Sequence, residues 1–131
     1  SKLVDAQITD SIVCEGTILK SCSILHCVLG VRSRIESDSV IEDTLVMGSD
    51  FFESPEERIE LRKGGGTPLG VGEGSTIKRA ILDKNARIGD NVVIVNKDRV
   101  EEADKPDLGF YIRNGIIVVV KNATIANGTI I

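Results

Sequence analysis

The sequence predicts an all-β fold: a parallel β-helix of hexapeptide repeats, about four coils tall, with two loop insertions, one carrying a short helix. Three observations point there. Leu82 to Arg87 and Ile88 to Val93 are consecutive six-residue words, each with a branched aliphatic first, a small or acidic residue second, and a small or β-branched residue fifth. The same phase recurs elsewhere in the 131 residues, and a period of six fits neither a lone amphipathic helix nor an alternating strand. Aromatic content is only 3% with no Trp, so the core is Ile, Val and Leu, as a stack of thin layers requires.

Along the chain, Ser1 to Ser11 carries Val4 and Ile8 but no clear register. From Ile12 the words are readable: Ile12, Ile18 and Ile24 are six apart, and Gly16, Cys22 and Val28 follow each by four. Leu29 comes one residue early. Leu29 to Arg34 and Ile35 to Val40 are full words, Ile41 to Val46 is a near match, and Met47-Gly48 starts a word that is abandoned. The repeat segments are thus 12–47, 77–96 and 116–131, with insertions at 48–76 and 97–115, all in one domain.

The first insertion contains Ser54-Pro55-Glu56-Glu57, a helix start with a capping serine, a proline at the first position and a glutamate completing a capping box. That helix should run to about Lys63 and stop at Gly64-Gly65-Gly66, with Ile59 and Leu61 as its apolar anchors on a surface. The glycine-rich run from Gly64 to Gly74 lacks the GK[ST] ending of a phosphate-binding loop and reads as loop. The second insertion is polar, with Phe110 and Tyr111 placed to fold it back onto the body. Ile116 to Val120 is a continuous apolar strand, and Ile125 to Ile130 is a full word.

Composition excludes several functions. A net charge of −4 disfavours a general nucleic-acid binder. No apolar run approaches the ~18 residues of a membrane span, and no signal peptide heads the chain. Cys14, Cys22 and Cys27 form no metal-ligand pattern and read as reduced thiols. Neither end looks capped, so the chain is expected to be part of something larger.

Catalytic candidates are few. His26 is the sole histidine; a hexapeptide acyltransferase would need it as base, and a repeat-fold carbonic anhydrase would need three. Glu56-Glu57 and Glu101-Glu102 read as solvated charge. No catalytic or metal-ligating residue is assigned. The lysines are more informative: Lys84 and Lys121 both hold the third position of their words. If the second insertion buds from a corner, they stack on adjacent coils about 5 Å apart. Stacked ammonium groups call for an anion between them, and phosphate suits lysine; the alternatives are splaying into solvent or pairing with Asp83 or Asp90. Arg32 and Arg34 are a weaker pair of the same kind.

The stretches SKLVDAQI, GVRSRI, TLVMGSDFFE, LDKNARIG, NKDRVEEAD, GFYIRNGIIVVVKNATI and NGTII, in order over essentially the whole chain, resemble the carboxy-terminal part of ADP-glucose pyrophosphorylase (glucose-1-phosphate adenylyltransferase), most nearly its cyanobacterial and plant forms. The resemblance implies a left-handed β-helix, a rare exception to the right-handed crossover rule. It implies a tetrameric enzyme, homomeric or heteromeric, that makes ADP-glucose and pyrophosphate from ATP and glucose-1-phosphate, with Mg²⁺, for glycogen or starch synthesis. The location implied is bacterial cytoplasm or plastid stroma. In that family catalysis belongs to an amino-terminal domain whose glycine-rich motif and metal-binding aspartates are absent here. Its activator lysines match Lys84 and Lys121, which implies binding of phosphorylated effectors, 3-phosphoglycerate and phosphate. The partners implied are the catalytic domain, other subunits and those effectors. No cofactor is expected in this chain itself. A stand-alone acyltransferase using His26 and a purely structural β-helix are the alternatives.

Overall fold

The computed structural model describes all of residues 1–131. Its first coil is β1 (Lys2–Val4), β2 (Gln7–Thr9) and β3 (Ile12–Val13); its second is β4 (Ile18–Lys20), β5 (Ser23–Leu25) and β6 (Val28–Leu29). The third is β7 (Arg34–Ile35), β8 (Val40–Glu42) and β9 (Leu45–Val46). Then α1 (Pro55–Lys63) intervenes before β10 (Gly70–Val71), β11 (Thr76–Lys78) and β12 (Ala80–Leu82). The fifth opens with β13 (Arg87–Ile88) and β14 (Val93–Ile94). It is interrupted by β15 (Glu102–Lys105) and β16 (Phe110–Arg113), closes with β17 (Ile116–Val119), and β18 (Thr124–Ile125) begins a sixth. With β15 and β16 left out of the count, strands three apart pair in parallel, giving three faces: β1-β4-β7-β10-β13-β18 (face A), β2-β5-β8-β11-β14 (face B) and β3-β6-β9-β12-β17 (face C).

The parallel β-helix is as expected, and it is longer than four coils because residues 2–9 already belong to it. The pairings stack Leu19 on Ile35 in face A, Ile24 on Ile41 in face B, and Leu29 on Val46 in face C. These side chains, with Val71, Ile77, Leu82, Ile88, Ile94, Val119 and Ile125, form the buried core. No coil buries them alone; each layer is sealed by its neighbours.

The first words of the repeat run one residue out of phase with the coils. Ile12 is 62% exposed, whereas Val13 is the residue paired with inward Leu29. Likewise Ile18 is only half-buried and Leu19 points in. Met47 is also exposed, and Val46 takes the inward place. The corner geometry explains the slip. Three residues before most inward aliphatics the backbone turns left-handed, as at His26 (φ 54°), Arg32 (φ 58°), Asn85 (φ 61°) and Asn122 (φ 63°). One residue later sits a small or narrow side chain: Cys27, Ser33, Ala86 and Ala123. The corner from face B to face C holds five residues rather than six, as in Ile24 to Leu29 and Ile77 to Leu82. Forward counting in sixes therefore drifts.

The repeat also resumes earlier than residue 77, at Gly70, whose added Cβ would lie 2.4 Å from the Arg34 carbonyl oxygen. Side chains do not fit that close to a neighbouring strand. Residues 97–115 are not simply a loop. β15 and β16 form an antiparallel hairpin, and β16 pairs antiparallel with β17, widening face C. Phe110 and Ile112 are buried there; Tyr111 is half-exposed, with the Arg113 guanidinium 4.9 Å above its ring.

The helix forms as its sequence predicts. Ser54 accepts from the Glu57 amide while the Glu57 side chain accepts from the Ser54 amide. Its anchoring differs: Ile59 is exposed and Arg58 is buried. With so few apolar residues, α1 docks through charge. No helix is long and apolar enough to cross a membrane.

Candidate functional site

Lys84 and Lys121 follow β12 and β17, whose ladder pairs Leu82 with Val119. The ladder continues past the strands: the Asp83 N–H donates to Val119 C=O and the Asn122 N–H to Lys84 C=O. The two lysines thus occupy equivalent places on adjacent coils, one strand spacing of about 4.8 Å apart at the backbone. Bringing them together requires β17 to resume face C after the hairpin, which the β16–β17 pairing secures.

The group facing Lys84 is neither Asp83 nor Asp90. Asp83 accepts from the Lys84 backbone amide at 2.6 Å, and Asp90 accepts from the Glu73 amide and lies 3.7 Å from Arg62. The Lys84 ammonium instead lies 3.1 Å from Oδ1 of Asp50, in the first residues of the helical insertion. Asn85 holds Asp50 from two sides: its Nδ2 donates to Asp50 Oδ2 at 3.0 Å, and its Oδ1 accepts from the Asp50 amide at 2.9 Å. The same Nδ2 lies 3.1 Å from Oδ1 of Asn122, so the asparagines stack as the lysines do. Hydrogen bonds from Asn85 and then Lys84 hold the Asp50 carboxyl below its ordinary range, with Lys121 adding a smaller electrostatic pull. Lys121 makes no ion pair with it. The corner thus presents two lysines and two side-chain amides, donors of the kind that suit a small oxyanion, beside one carboxylate that occupies Lys84.

The sequence carries a signal for the asparagines that the lysines overshadow: Lys84-Asn85-Ala86 and Lys121-Asn122-Ala123 are the same tripeptide. Asp50 carries none, being 34 residues from Lys84.

Arg32 and Arg34 are not brought together as a pair. Arg32 donates to the Ser49 carbonyl at 3.0 Å and lies over Phe52. Arg34 joins a buried cluster on face A, 3.1 Å from Glu36. Arg58 of α1 reaches both Glu36 (3.1 Å) and Glu53 (3.3 Å), Lys20 lies 3.4 Å from Glu36, and Arg87 lies 2.8 Å from Glu53. Glu53 also accepts from the Leu69 amide, and Arg58 and Arg87 donate to the Leu69 and Thr67 carbonyls. This cluster, which sequence reasoning misses, pins both ends of the insertion to face A.

His26 sits at an exposed corner, its Nδ1 2.7 Å from Asp43. It lines none of the principal recesses. Cys22 and Cys27 fill corners, where burial pushes their thiols up and keeps them protonated. Glu56, Glu57, Glu101 and Glu102 are exposed. No three His, Cys, Asp or Glu side chains are grouped so that they could hold a metal ion.

Residues 1–130 match the model of the GLGC left-handed parallel β-helix domain. Over all 131 residues the chain is 50% identical to the chloroplastic/amyloplastic small subunit of glucose-1-phosphate adenylyltransferase from Triticum aestivum, spanning 28% of that relative's length. The parallel coils are therefore those of a left-handed β-helix, and the chain belongs to the family of GLGC left-handed parallel β-helix domains.

Proposed function

We propose that this chain is the regulatory and assembly part of a glucose-1-phosphate adenylyltransferase, and that Lys84 and Lys121 bind the phosphate of small allosteric effectors such as 3-phosphoglycerate. The parent enzyme makes ADP-glucose and pyrophosphate from ATP and glucose-1-phosphate for glycogen or starch synthesis, in bacterial cytoplasm or plastid stroma. The nucleotidyl transfer, with Mg²⁺ and ATP, belongs to a separate catalytic domain; this chain supplies no catalytic group. The observation that carries the effector reading is the register that stacks Lys84 over Lys121 on adjacent coils.

Assembly is supported by the outward side of face C. Ile12, Val28 and Leu45 stack there as exposed aliphatics, and the half-buried Ile81 and Val118 continue the stripe. At the corresponding places face A carries Ile18, Arg34, Arg87 and Thr124, and face B carries Gln7, Ser23, Val40, Thr76 and Val93, so neither is aliphatic throughout. A continuous apolar stripe suits contact with further protein, either the catalytic domain or another subunit of a tetramer.

Calorimetric titration with 3-phosphoglycerate and with inorganic phosphate tests the effector reading. Binding to the starting chain that is lost in the Lys84→Ala, Lys121→Ala double variant supports it; heat unaffected by the double substitution overturns it. A purely structural β-helix is the second reading, favoured by the ion pair Lys84 already makes with Asp50. It predicts no binding, in this chain or in the full-length enzyme.

A further inference from the structure

We propose that Asp50 is a built-in competitor of phosphate at this corner: its carboxylate must release the Lys84 ammonium before an anion can take both lysines. The proposal rests on the reading of Lys84 and Lys121 as a phosphate site.

The chain leaves the β-helix at Gly48, one coil from Lys84, since the Asn85 N–H donates to Gly48 C=O as the Asn122 N–H does to Lys84 C=O. Gly48, Lys84 and Lys121 thus form one column, and Asp50 emerges two residues after its first member. The Asn85 side chain then closes a ring on Asp50, with one bond to the carboxylate and one from the backbone amide. That ring fixes the carboxylate where it meets Lys84 at 3.1 Å.

Lys121 makes no ion pair and is exposed, so one ammonium is answered and its neighbour is not. A carboxylate and a phosphate offer the same kind of acceptor oxygen. Phosphate carries more charge and more oxygens, which lets it bridge two stacked ammonium groups where Asp50 meets one. Hydrogen bonds from Asn85 and Lys84 hold the Asp50 carboxyl below its ordinary range, so the competing carboxylate is present at neutral pH. Its position in the first residues of the helical insertion also links phosphate binding to the start of that segment.

The test is calorimetric titration with inorganic phosphate, at fixed ionic strength, of the starting chain and of Asp50→Asn. The substitution keeps the size and an acceptor for Asn85 while removing the charge facing Lys84. Affinity for phosphate is expected to rise about two- to five-fold, the range an exposed ion pair supports. A carbon-detected NMR pH titration gives a second readout: the Asp50 carboxyl midpoint should rise when phosphate saturates the protein. Unchanged or weaker phosphate binding in Asp50→Asn, with binding to the starting chain still dependent on Lys84 and Lys121, overturns this proposal and leaves the phosphate site standing. An Asp50 midpoint that ignores saturating phosphate does the same. If neither protein binds phosphate, both readings fall together.

Discussion

The guanidinium of Arg58 lies 3.1 Å from the carboxylate of Glu36, 22 residues away in sequence, and both side chains are almost wholly buried. One belongs to the inserted helix and the other to the end of a β-helix strand on face A. Their contact, not an apolar stripe, is what seats the helix.

Arg58→Ala should therefore loosen the insertion by leaving Glu36 and Glu53 short of a buried partner. Removing one member of such a network costs about 3 kcal/mol, although Lys20, Arg34 and Arg87 remain. Urea unfolding should show the loss, and limited proteolysis should cut the variant faster at Gly64 to Gly66. Unchanged proteolysis would mean that the backbone bonds at Leu69 and Thr67 hold the segment without Arg58.

Acid should act through Glu36. Burial by itself would push its carboxyl up, but Arg34, Lys20 and Arg58 outweigh burial and hold it below the ordinary glutamate value of 4.5. A carboxyl whose folded-state pKa is depressed stabilises above its unfolded value, and that stability is lost as pH falls through the lower, folded value. Thermal midpoints should decline below about pH 4.5, and Glu36→Gln should flatten that decline while lowering stability at pH 7. An equal decline in both proteins would assign the acid sensitivity to other carboxylates.

The phase of the coils makes a sharp contrast on two isoleucines. Ile24 is 1% exposed and Ile12 is 62% exposed. Ile24→Ala should cost about 2–5 kcal/mol, and Ile12→Ala within about 0.5 kcal/mol. Denaturant midpoints decide the matter. Similar costs at both positions would restore the phase obtained by counting forward from Ile12.

Gly48 and Gly65 provide a second contrast. Both have a left-handed φ, 91° and 81° respectively, but a Cβ at Gly48 would fall 2.1 Å from the Val31 carbonyl oxygen, whereas Gly65 has open space around it. Gly65→Ala should cost about 1–2 kcal/mol from backbone strain alone. Gly48→Ala should cost clearly more, because the chain there must also move off its neighbouring coil. Equal urea midpoints would show that the coils yield to admit a methyl group.

Features carried by near neighbours are legible in the sequence. The words around Leu82 and Ile88 declare a stacked β-helix because each coil repeats one local steric problem. Ser54 and Glu57 declare a helix because the cap is made within four residues. Lys84 and Lys121 declare a pairing because both hold the third position of their words once the second insertion is set aside. The hairpin of β15 and β16 is not legible in this way, since β15 reads as polar and β16 takes its register from β17.

Two things are decided only by the tertiary structure. One is the phase: His26, Arg32 and Asn85 turn left-handed at corners of unequal length, and it is the stacking of each corner on the next that selects them. The other is charge placement. Arg58 reads as a surface residue in a charged helix, and Asp50 as a loop carboxylate. Each acquires its role from partners that only the coiled path brings near, because an ion pair depends on distance through space. The repeat and the cap belong to the sequence by itself; the buried cluster and the answered lysine belong to the fold.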